Sequence, residues 1–208
     1  MLLNLDGGFA YLALTKTGST SVETMLRPHC QIMFTGDHRV SHMPAHHFER
    51  FVRPYLTECG FPAIDTVAQL RHPLDWLESW WRYRSKPRPG ESHTDTSGVA
   101  FETFALEYID GADRPYLGMH RQLGFVCDHT GAQQADILFR YEDMAAFHAF
   151  LEHRIGQPLT LPRHNKSPRR WARISRGARA RVETFFAPEL DLWEGKTTRD
   201  PTLRIRAR

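Results

Sequence analysis

The stretch Lys16-Thr17-Gly18-Ser19-Thr20-Ser21 puts one cation, one glycine and four hydroxyl residues between an apolar run and the start of an amphipathic pattern. A loop that leaves a strand and enters a helix aims several backbone N–H groups at one point, where the helix dipole adds partial positive charge. Gly18 lets the backbone come close to a ligand. Thr17, Ser19, Thr20 and Ser21 offer hydroxyl donors, and Lys16 offers a mobile cation. The chemistry this pattern suits is the binding of phosphate or a phosphate-like anion. The structural alternative is a hydroxyl-capped helix after a tight turn.

A second constellation begins at Arg71-His72-Pro73 and continues to Ser79. An arginine at the C-terminal end of a strand can hold a phosphate bidentately. Ser79 lies about two turns further along the helix that Pro73 opens, and could add a hydroxyl from that side. Ligands of open α/β sheets lie at such strand ends. The alternative is an arginine salt-bridged near a helix start.

These residues need a scaffold, and the patterning supplies one. Phe9–Leu14 is nearly all apolar and reads as a short strand buried on both faces. Ser19–Leu26 starts a helix, with Val22, Met25 and Leu26 on one face. Ala45–Leu56 is a second helix, with Phe48, Phe51, Val52 and Tyr55 on a stripe. Ala63–Leu70 is a second buried strand. Pro73 stands at a first-turn position, where its missing N–H does no harm. In the helix that follows, Leu74, Leu77, Trp80 and Trp81 are apolar positions, and Trp76, Trp80 and Trp81 are read as core. Lys86–Gly98 is a polar surface loop, Val99–Ile109 a helix, Ala135–Arg140 a third strand, and Glu142 to about Arg154 a helix. Gln157–Arg170 is a basic loop, and a last helix runs from about Ser175 to Phe186. Strands alternating with helices predict a central parallel sheet flanked by helices, in a single domain spanning 1–208.

The loop at Lys16 does not fit G-x-x-x-x-G-K-[ST], because its lysine precedes its glycine. It resembles the 5′-phosphosulfate loop of sulfotransferases that use 3′-phosphoadenosine-5′-phosphosulfate (PAPS), with Thr15 where proline is usual. Arg71-His72-Pro73 through Ser79 resembles the 3′-phosphate motif of the same family. Phe139–Met144, His120–Asp128 and His164–Ser167 with the helix after them resemble segments of its carbohydrate and glycosaminoglycan branch. In the second the spacing is shortened, and in the third Asn165 directly follows His164.

The resemblance runs from about Ala10 to Trp193. It implies a PAPS-binding fold related to nucleotide kinases and transfer of a sulfuryl group to a hydroxyl, on a saccharide or small metabolite, without a metal. Lys16 is then the residue that stabilises the bridging oxygen, and Thr17 to Thr20 supply amides to the 5′-phosphate. Ser21 and the 166–167 loop (Lys166, Ser167) stand close to the nucleotide, and Arg71 and Ser79 hold its 3′-phosphate. An acceptor hydroxyl calls for a general base, and histidine suits neutral pH. The resemblance to the glycosaminoglycan branch, which has a histidine base in this region, favours His42, with His38 second; Glu23 is third, because some sulfotransferases use a glutamate on the first helix.

Composition bounds the rest. The chain has 208 residues and a net charge of +3, with 41% hydrophobic residues. No stretch approaches the roughly 20 apolar residues of a membrane span. Cys30, Cys59 and Cys127 are odd in number and far apart, which points to free thiols and a cytoplasmic location. His38, His42, His46 and His47 could mimic metal-ligand spacing, but Pro44 interrupts them and no acid or cysteine completes the set. The rival readings are an ATP-using kinase, for which Asp65 sits too early in its strand to serve as the magnesium-binding acid, and a non-catalytic nucleic-acid-binding module built on the arginine-rich stretch 163–181.

Overall fold

Along the run Phe9–Leu14 the side chains alternate between two buried faces, as a strand of period two requires. Phe9, Tyr11 and Ala13 pack with Val67, Ile137, Phe147 and Leu151. Ala10, Leu12 and Leu14 pack with Phe48, Leu56, Ala68 and Val126. Both faces of the sheet are therefore covered, and the strand has no polar side. The structure is a computed structural model and describes residues 1–86, 90–162 and 170–195.

Five strands, β1 (Leu2–Asn4), β2 (Phe9–Tyr11), β3 (Ile32–Met33), β4 (Asp65–Leu70) and β5 (Ile137–Arg140), form one sheet in the order β3-β1-β2-β4-β5. The pairs β2·β4 and β4·β5 are parallel, with Tyr11 opposite Val67 and Leu70 opposite Arg140. The pairs β1·β2 and β1·β3 are antiparallel. The sheet is thus mixed, which corrects the expectation of a purely parallel one. β1 and β3 are three and two residues long, too short for any periodicity to announce them.

The helices are α1 (Ser19–Leu26), α2 (His38–Ser41), α3 (Ala45–His47), α4 (Arg53–Glu58), α5 (Pro73–Arg84), α6 (Phe101–Ile109), α7 (Leu123–Val126), α8 (Met144–Ile155), α9 (Arg176–Phe185) and α10 (Ala187–Trp193). α1 and α8 cover one face of the sheet through Val22, Leu26, Phe147 and Leu151. α3, α4 and α7 cover the other through Ala45, Leu56 and Val126. A third cluster joins α5, α6 and α9 through Trp76, Trp81, Phe104, Val182 and Phe186.

The stretch Ala45–Leu56 is helical but not uniform. Between α3 and α4, Phe48–Val52 forms a π-turn in which Arg53 N–H reaches back to the Phe48 carbonyl. Pro54 follows and has no N–H to continue the ladder. Ala45, Phe48, Val52 and Leu56, at spacings of three and four, are buried, while Phe51 and Tyr55 lie off that stripe and are 59% and 64% exposed. The expected stripe is corrected at those two positions. Among the described residues no helix is long and apolar enough to cross a membrane.

Candidate functional site

β2 and β4 lie side by side and end at one edge of the sheet, so the chain that follows each emerges in the same place. Past Tyr11 the backbone stays extended, with Leu12 N–H donating to the Val67 carbonyl at 2.8 Å. Lys16 then takes φ of 67°, the one non-glycine residue at positive φ among those described. That conformation costs an L-residue about 1–2 kcal/mol, and strain of this kind concentrates at functional turns.

Thr17 is fully buried, and its hydroxyl donates to the Leu14 carbonyl at 2.8 Å. It closes the turn from within and does not point its proton outward. Gly18, at φ 70°, occupies the N-cap of α1, and no side chain caps that helix. The hydroxyl cap expected there is replaced by a left-handed glycine. A Cβ at Gly18 would lie 3.3 Å from Tyr141 Cε2. The helical ladder opens with the Ser21 and Val22 amides, both donating to the Gly18 carbonyl at 2.9 and 3.3 Å. The amides of Thr17 to Thr20 precede that ladder, the position from which helix-start amides meet anions. Ser19 is nearly buried, Thr20 is exposed and Ser21 is intermediate.

Arg71 is the first residue beyond β4. Its Nη1 donates to the Lys16 carbonyl at 3.2 Å, so the two sequence motifs touch. Its guanidinium lies 4.8 Å from the centre of the Tyr141 ring. Its Nε is buried and has no hydrogen-bond partner among the described residues. An orphaned guanidinium N–H beside a row of helix-start amides fits an anion, since leaving such a donor unpaired is costly.

The Arg71 main chain is held by Gln122, which is 1% exposed. Gln122 Oε1 accepts from Arg71 N–H at 3.0 Å, and its Nε2 donates to the Arg71 carbonyl at 2.7 Å. The next amide, His72 N–H, donates to Glu142 Oε1 at 3.0 Å, and Glu142 Oε2 accepts from the Trp193 indole at 2.8 Å. Gln122, Tyr141 and Glu142 stood inside segments that the sequence singled out, but nothing in their spacing showed which main chain they would hold. Ser79 sits in α5 and is 4% exposed. Beside it, burial pushes the Glu78 carboxyl above its usual range against the pull of Arg82.

The Lys16 ammonium lies over the face of Tyr83, 3.9 Å from the ring centre, and 5.4 Å from that of Trp80. Trp76 and Trp81 are core residues as expected; Trp80 is half-buried and faces the lysine.

His42 follows α2, and its Nδ1 is 2.6 Å from the Ala13 carbonyl. A carbonyl can only accept, so Nδ1 carries a proton, and in the neutral ring the lone pair is on Nε2. That tautomer is the one a general base needs, and the carbonyl that fixes it, Ala13, is three residues upstream of Lys16. The His38 side chain is 84% exposed, with Nδ1 3.7 Å from Asp37 Oδ1. Glu23 Oε1 is 3.4 Å from the Met1 amino nitrogen. His46 and His47 meet each other edge to face at 4.4 Å. Among the described residues no three His, Cys, Asp or Glu side chains converge as metal ligands. Lys166 and Ser167 lie outside the described residues.

Several charges of the basic stretch and of β4 are occupied. Arg170 lies 3.7 Å from the Trp81 ring centre and donates to the carbonyls of Thr96, Ser97 and Val99. Arg181 meets Asp110 at 2.7 Å, and Arg179 meets Glu183 at 3.4 Å. Asp65 pairs with Arg154 at the start of β4, the end of that strand away from Lys16. A cleft of about 770 Å³ lies at that opposite edge, lined by Gly7, Gly8, Arg53, Phe61, Asp65 and Arg154. Its arginines are already bonded, Arg53 to Asp136 and Arg154 to Asp65 and the Gly7 carbonyl. No protein-family model, curated protein or solved structure matches the chain.

Proposed function

We propose that this chain is a PAPS-dependent sulfotransferase that sulfates a hydroxyl group on a saccharide or a small metabolite. The observation that carries the proposal is the Arg71–Lys16 contact. It brings an anion-type loop and an arginine with an orphaned buried N–H to one edge of the sheet. A nucleotide with phosphate groups at both its 3′ and 5′ positions is the ligand class that needs two such turns.

In the reaction the acceptor oxygen forms a bond to sulfur as the bond from sulfur to the 5′-phosphate oxygen breaks. The hydroxyl proton passes to His42 Nε2, and 3′-phosphoadenosine-5′-phosphate leaves. Charge builds on the leaving phosphate, as it does in phosphoryl transfer, so positioning and electrostatics supply most of the catalysis. The amides of Thr17 to Thr20 hold that phosphate, and Lys16 neutralises the oxygen that departs. Removing a preorganised donor of this kind costs about 10²–10³ in turnover.

The test is transfer of labelled sulfate from PAPS to a panel of saccharide and small hydroxyl acceptors, using wild type, Lys16→Ala and His42→Ala. Labelled product from wild type, cut by about 10²-fold or more in Lys16→Ala, supports the proposal. Transfer of phosphate from ATP, with no sulfate moved, overturns it.

A further inference from the structure

We infer that Tyr83 is a positioning residue for Lys16, its ring face holding the ammonium beside the loop, from where an arriving anion draws it. The second half rests on the sulfuryl-transfer reading above; the first half stands without it. Trp80 and Tyr83 are three residues apart on α5 and so share a face of the helix. Their rings meet at 5.8 Å with an interplanar angle of 85°, which fixes each against the other. Both lie within cation–π reach of Lys16 Nζ, and Tyr83 is the nearer at 3.9 Å. Trp80 also has Arg84 4.9 Å from its ring centre, so it serves two cations.

The Lys16 backbone has little room to follow its side chain. Its carbonyl is tied to Arg71, and the next residue is tied to Leu14. Travel of the ammonium is therefore rotation of the four-carbon stem alone, for which lysine is suited. A ring face attracts a cation without forming the directed, charge-assisted bonds that a phosphate oxygen forms. An anion held by the neighbouring amides can thus draw the ammonium away from Tyr83. The aromatic pair sets a defined starting position and keeps the ammonium beside the site.

The chain has four lysines, at 16, 86, 166 and 196. Reductive methylation with ¹³C-formaldehyde keeps their charge and gives each a methyl resonance. The Lys16 signal is identified by its absence from Lys16→Arg. It is expected upfield of the other three, shifted by the Tyr83 ring. Tyr83→Phe keeps that shift, because the ring and not the hydroxyl is responsible. Tyr83→Leu loses it with the melting temperature unchanged. A Lys16 signal coincident with the others in wild type, or unmoved in Tyr83→Leu, overturns the inference. Adding 3′-phosphoadenosine-5′-phosphate moves the signal downfield if the ammonium is handed over. Binding shown by calorimetry without that movement overturns the handover. No binding by calorimetry refutes the sulfotransferase reading and leaves the ring-shift result to decide the resting contact.

Discussion

Gln122 holds the main chain of Arg71 at both its N–H and its carbonyl, through bonds of 3.0 and 2.7 Å. A buried amide side chain here does what a neighbouring strand does for the residues before it, and carries the order of β4 one residue further. The guanidinium that meets Lys16 is therefore presented from a fixed backbone.

Replacing Gln122 with leucine strands one part-buried donor and one part-buried acceptor on Arg71. Each is expected to cost about 1–3 kcal/mol. Urea unfolding of Gln122→Leu should show a lower midpoint with an unchanged slope. An unchanged midpoint would mean that the two bonds contribute nothing net.

Gly18→Ala places a Cβ on a backbone at φ 70° and 3.3 Å from Tyr141. The left-handed conformation alone costs about 1–2 kcal/mol. Thermal melts of Gly18→Ala and Gly18→Asn compare the two, with the asparagine variant the less destabilised, since Asn tolerates this region better.

His42→Ala removes the group proposed to take the acceptor proton. Turnover should fall by about 10²- to 10⁴-fold, with calorimetric affinity for the desulfated nucleotide unchanged. Equal loss of affinity and turnover would place His42 in binding rather than proton transfer.

Burial pushes the Cys30 thiol up to about 12 and the Cys127 thiol up to about 11. The thiolate is the reactive species, so at pH 8 a thiol reagent should label exposed Cys59 fast and the other two slowly. In the unfolded chain both thiols titrate near their ordinary value of 9.0. The unfolded state then binds fewer protons than the folded one from about pH 9 upward, and stability falls as pH rises from there toward 11–12. Denaturation midpoints at pH 8 and 10 check the sign.

The parts of the fold set by long apolar runs were readable in the sequence. Phe9–Leu14 and Ala63–Leu70 have no polar alternation because both faces of the sheet are covered, and Pro73 opens α5 where a proline can. α1 opens at Ser19, where a helix was expected to start. β1 and β3 were not readable, since three and two residues carry no period and their pairing is long-range. Phe51 and Tyr55 were misplaced because the buried stripe is Ala45, Phe48, Val52 and Leu56, at spacings of three and four, and those two residues lie off it. Residue types singled out Lys16, Gly18 and Arg71, and the structure brings Arg71 against the Lys16 carbonyl. The partners of those residues, Gln122 and Tyr83, come from elements far away in sequence and required the tertiary arrangement.

The central claim is that the Gly18 turn and the Arg71 turn hold one nucleotide between them. Isothermal titration at fixed salt should compare 3′-phosphoadenosine-5′-phosphate with adenosine 5′-phosphate on wild type and Arg71→Ala. The account predicts that wild type prefers the doubly phosphorylated ligand, and that Arg71→Ala weakens it by about 10- to 100-fold while adenosine 5′-phosphate binds both proteins alike. Equal affinity of wild type for the two ligands, or tighter binding of ATP with magnesium, would contradict it.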